Sequence, residues 1–125
     1  MRQHLLSISA VLECLTGVAL LLAPDITIAL RLGAKADPVS QVIARICGVA
    51  LISISIACWA ARTGPDSESR IGTIRAITFY NLGAGLIFVA VAAVGQFHGI
   101  VIWGVGFIHL AFALAFIFSR TRSLN

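Results

Sequence analysis

At 125 residues, 59% hydrophobic and 11% charged, with a mean hydropathy of +1.01, the chain falls far below the roughly 25% charged content of a soluble domain. That excludes an ordinary water-soluble fold. The net charge of +4 comes from basic residues scattered singly through apolar sequence, without the contiguous patch that follows a phosphate backbone, which excludes a nucleic-acid partner.

Four apolar segments, at about 5–23, 39–61, 71–94 and 100–118, are each long enough to cross some 30 Å of hydrocarbon at about 1.5 Å per residue. Residues 76–119 run for 44 positions without an Asp, Glu, Lys or Arg, room for two spans and a turn. The sequence therefore predicts one transmembrane domain, an all-α up-down four-helix bundle in contact with the lipid bilayer.

The first segment is expected to be a retained span rather than a secretory signal: its apolar stretch is long, Glu13 interrupts it, and Pro24 follows the one small-residue cleavage point, Ala23. Its Ser9, Ala10, Thr16 and Gly17 share the face of Glu13, while Leu5, Leu12, Leu15 and Leu22 gather elsewhere. A small, polar stripe of this kind is a helix-contact face. The connection 24–37 is compatible with an interfacial helix, an extended segment, or a continuation of the first helix past a proline kink. Asp37-Pro38 supplies an N-cap and first-turn proline for the second span, and Thr63-Gly64-Pro65 ends it. Ser67, Glu68 and Ser69 suit the start of the third, and the short turn 95–99 leads into the fourth.

Arg2, Arg62, Arg70, Arg75, Arg120 and Arg122 fall on the side of both termini and the middle loop, against Arg31, Lys35 and Arg45 on the other. The positive-inside rule then places both termini in the cytoplasm, with the protein in a cell inner membrane. Trp59 and Trp103 fall near the two boundaries, where tryptophan is enriched.

A carboxylate near the centre of a span is costly and marks a functional site by default. Glu13 is therefore the leading candidate, as a ligand- or proton-binding group. His109 is central in the fourth span, Tyr80 and Asn81 in the third, and Arg45 enters the second near its outer end. An up-down bundle sets the first and fourth spans side by side, so Glu13 and His109 are expected to meet, with Arg45 reaching down towards them. Such a set suits anchoring a polar ligand group or exchanging protons; the alternative is a buried network that only fixes helix register. Cys14, Cys47 and Cys58 form no Cys-x-x-Cys pair and read as apolar fillers, and no metal, cofactor or catalytic set is expected. Phe107, Phe112, Phe116 and Phe118 suit lipid contact or bundle packing.

The central glutamate in AVLECLTG, positions 10–17, resembles that of the small multidrug resistance transporters, where such a residue exchanges protons against cationic drugs. That resemblance covers one helix, and the separation of Tyr80 from Trp103 on different spans departs from the family pattern. A broader one rests on LLAPD ending the first span, RLG at 31–33, RICG at 45–48, WAAR at 59–62, YN at 80–81 and GIVIWGVGFIH at 99–109. These look like small bacterial four-span proteins, loosely similar to the DoxX-like group, some of which accompany quinone-linked oxidoreductases. What this resemblance implies is an accessory role, not a reaction. Together the residues point to a non-enzymatic membrane bundle whose interior polar site takes a small or lipid-like ligand, or which joins a membrane-protein partner or a second copy. The alternative is a proton-coupled small-molecule transporter using Glu13.

Overall fold

The computed structural model describes residues 2–65 and 67–121, the last two by their backbone alone; Arg122, counted above, lies outside them. The described chain is helical: α1 (Arg2–Leu22), α2 (Pro24–Leu32), α3 (Pro38–Ala61), α4 (Glu68–Val94) and α5 (Ile102–Thr121). The four longer helices reach mean hydropathies of 2.0 to 2.2 over span-length windows, with at most 28% of the window buried inside the bundle. Large apolar side chains such as Leu15, Leu22, Phe79 and Phe118 project outward. A single-chain bundle that presents this much apolar surface is a multi-pass membrane protein, its outer faces matched to hydrocarbon.

The helix ends follow from local chemistry. Pro24 has no N–H to continue the α1 ladder and disfavours helical geometry at the residue before it; Ala23 sits at φ −135°, ψ 60°. The chain kinks there, resumes as α2 with Pro24 at its start, and stops at Gly33, whose positive φ of 69° lets its N–H bond Ala29 O. The 24–37 connection is thus a short separate helix. Asp37 caps α3 by accepting from the Ser40 N–H at 2.8 Å, which holds its carboxyl below the usual aspartate range. Ser67 caps α4 by accepting from the Arg70 N–H at 3.2 Å.

Packing divides the bundle into two intimate antiparallel pairs, α1 with α3 and α4 with α5, which meet each other more loosely. Gly17 faces Gly48 across the first pair, and the Ser55 hydroxyl donates to Ala10 O at 2.7 Å. Gly85 and Gly106 face each other across the second. These glycines let backbones approach closely, which is how helices associate where lipid supplies no hydrophobic drive. Where the pairs join, Leu6, Ala10, Cys58, Ile74, Ile77 and Phe116 form the apolar core, at the end of the bundle that holds the N-terminus. Arg2 closes that end by donating to Ser119 O at 3.2 Å.

At the opposite end, α2 lies across the turn into α5. His98 N–H donates to Leu32 O at 3.1 Å, and a Cβ on Gly99 would collide with the Arg31 backbone. Through this contact α2, covalently part of the first pair, is fixed against the second.

Candidate functional site

Above the apolar core, α1, α2, α4 and α5 surround a cleft of about 140 Å³. Its polar lining is Ser9, Glu13, Thr16, Arg31, Asn81 and His109. Apolar Leu12 on α1 and Ile108 on α5 also line it and are 41% and 54% exposed, so the cleft opens sideways between these helices onto the lipid-facing surface.

Each group has a positional reason to be there. On α1 the buried stripe is Leu6, Ser9, Ala10, Glu13 and Gly17, the face that i±3 and i±4 spacing predicts. Glu13 is 5% exposed, with the Tyr80 hydroxyl in hydrogen-bonding position to its carboxyl and Arg31 close enough to act on both electrostatically. On α4, Asn81 is 2% exposed and its amide is oriented by its own helix: Nδ2 donates to Ile77 O at 2.8 Å. Oδ1 is then the atom that faces His109 Nδ1, 2.8 Å away, and being an acceptor it requires the proton on Nδ1. His109 Nε2 is left as an acceptor without a protein partner among the described residues. The imidazole is held edge-to-face with Tyr80, centroids 5.6 Å apart, and parallel to the Phe88 ring at 6.1 Å.

The structure brings together four of the five candidates read from the sequence: Glu13, Tyr80, Asn81 and His109. It does not bring Arg45 to them. The buried positions of α3 are Ala44, Gly48, Leu51, Ser55 and Cys58; Arg45, one residue on and therefore about 100° around the helix, is exposed on the outer face. The guanidinium in the cleft belongs instead to Arg31, whose Nη2 donates to the Thr16 hydroxyl at 3.0 Å. A signal for it was present: read as a helix, the 24–32 segment places Pro24, Thr27 and Arg31 in one stripe at i, i+3 and i+7, and the first two are buried.

Ser9, on the packing face of α1, has a further property. Its hydroxyl is buried, lines the cleft and has no hydrogen-bond partner among the described residues. Leaving such a group unsatisfied costs on the order of 1–3 kcal/mol. Thr73, Thr78 and Ser53, by contrast, bond back to carbonyls of their own helices. Of the cysteines, Cys58 is in the core and Cys47 faces outward, and no group of three metal-ligating side chains exists among the described residues. Phe116 is fully buried and Phe112 packs against the core, whereas Phe107 stacks on Trp103 at the surface. Neither family models, curated proteins nor solved structures yield a match to this chain.

Proposed function

We propose that the protein binds a small amphiphilic ligand in the cleft between α1, α2, α4 and α5, acting as a binding or accessory component of an inner membrane, with both termini cytoplasmic as the arginine bias predicts. The observation that carries the reading is the orphaned Ser9 hydroxyl beside an open polar cleft. A network that served only to fix helix register would close on itself, since unsatisfied buried groups are a net cost. Here an acid, an imidazole nitrogen, a guanidinium and a hydroxyl all retain bonding capacity towards the same space, and the mouth between Leu12 and Ile108 is suited to a lipophilic tail.

Native mass spectrometry of protein extracted in a mild detergent tests this. The wild type should carry a co-purifying amphiphile, and Ile108→Trp, which narrows the mouth from an exposed position, should lose it while keeping its thermal stability. Equal occupancy in both, or none in the wild type, would refute the reading.

A second reading, proton-coupled transport of a small molecule, is favoured by one observation: the Glu13 carboxyl faces the same cleft. Proton release from solubilised protein on adding a cationic substrate, abolished by Glu13→Gln, would select it. Ligand binding without proton release would select the binding role.

A further inference from the structure

The cleft draws acceptors from α1 and α5 and a donor from α2, and that set points to a headgroup. Glu13 and the Ser9 hydroxyl on α1 and His109 on α5 line the cleft as acceptors. Glu13 ionised accepts only, Nε2 accepts because Nδ1 carries the proton, and the Ser9 oxygen has both lone pairs free. Arg31, on α2, is a donor only. One of its N–H groups is used by Thr16, and the others have no protein acceptor among the described residues. Thr16, which the guanidinium bonds, lies three residues beyond Glu13, a rise of roughly 4.5 Å along the α1 axis.

Resting on the binding reading above, we infer that the cleft recognises a primary ammonium joined by a short link to an anionic group, the ammonium seated among Glu13, Ser9 and His109 and the anion against Arg31. An ammonium brings three N–H donors to the three acceptors, which also gives the orphaned Ser9 oxygen a donor. The guanidinium is the residue of choice for a phosphate or carboxylate. Site and ligand are each neutral overall and have opposed dipoles, so neither leaves an uncompensated charge in a low-dielectric interior. A trimethylammonium lacks N–H donors and meets these acceptors with methyl groups. The hydroxyls of an anionic glycerol headgroup can donate to Glu13 or Ser9 but bring no charge-assisted donor to the carboxylate. The aminophospholipid headgroup has this chemistry, and so does a free zwitterion such as phosphoethanolamine. The sideways opening between α1 and α5 favours the lipid, because the acyl chains remain in the bilayer.

Delipidated protein in detergent, titrated with short-chain phosphatidylethanolamine, phosphatidylcholine, phosphatidylglycerol or O-phosphoethanolamine and read by native mass spectrometry, tests the inference. Phosphatidylethanolamine should bind at least about ten-fold more tightly than phosphatidylcholine or phosphatidylglycerol, the difference expected from charge-assisted hydrogen bonds made or lost. Glu13→Gln should abolish the preference over phosphatidylglycerol, and Arg31→Gln should weaken phosphatidylethanolamine and phosphatidylglycerol alike. A single cooperative melting transition and an unaltered detergent elution profile identify variants that have kept their fold. Binding of free O-phosphoethanolamine as tight as that of the lipid would assign the site to a soluble zwitterion; weaker binding assigns it to the lipid. Lipid binding that depends on the Ile108 mouth but shows no headgroup preference would overturn this inference and leave the binding role standing. Absence of any mouth-dependent binding would overturn both.

Discussion

Replacing Gly48 with leucine should destabilise the bundle more than any truncation of its lipid-facing surface. A Cβ at Gly48 would lie 2.6 Å from Gly17 O and 3.0 Å from Leu21 N, and one at Gly17 would lie 2.7 Å from Gly48 O. These are backbone atoms of the facing helix, so they cannot rotate away as a side-chain tip can. The α1–α3 pair must move apart, which loosens the Ser55 bond to Ala10 and the Leu6–Cys58 part of the core. Overpacking commonly costs about 1–3 kcal/mol, and a leucine forced between two backbones belongs at or above the top of that range. Leu22→Ala removes a side chain that is 75% exposed, and lipid fills the space. Thermal unfolding in one detergent should rank Gly48→Leu as the less stable by a wide margin; the reverse ranking would mean that the glycine faces do not meet.

The second large effect is expected at the Asn81–His109 pair. Asn81→Leu keeps volume nearly constant but removes the acceptor for the His109 Nδ1 proton, 2.8 Å away. A donor left unpaired in a partly buried site costs on the order of 1–3 kcal/mol, whereas removing both partners is far milder. Asn81→Leu alone should therefore lower the melting temperature, and adding His109→Phe should recover part of the loss. If the double variant is less stable than the sum of the two singles, the contact is not what holds these side chains.

The interior face of α1 was legible because Ser9, Ala10, Glu13 and Gly17 are small or polar among leucines, and in lipid that contrast marks a helix contact. The caps at Asp37 and Ser67 were legible because side-chain acceptors immediately precede apolar runs. On α3 the evidence was available but outweighed: Ala44, Gly48, Ser55 and Cys58 define a small-residue face that excludes Arg45, yet a charge near a span end drew the reading inward. Arg31 is a different case. Its face on α2 is marked by the Pro24, Thr27 and Arg31 stripe, but that this face meets the cleft depends on the chain folding back after Pro24 and on α2 being pinned by the 98–101 turn, a contact between segments more than 60 residues apart. The sorting of acceptors and donors in the cleft was equally out of reach, since it depends on Asn81 fixing the histidine proton from the neighbouring helix.

The central claim is that the charged interior of this bundle is completed by Arg31 and not by Arg45. Two double-mutant cycles measured side by side test it, Glu13→Gln with Arg31→Gln and Glu13→Gln with Arg45→Gln, each read as thermal stability in the same detergent. Groups that share one electrostatic site couple by about 0.5–3 kcal/mol, while distant ones add. The account predicts clear coupling in the Arg31 cycle and additivity in the Arg45 cycle; coupling of Glu13 to Arg45, with additivity to Arg31, would contradict it.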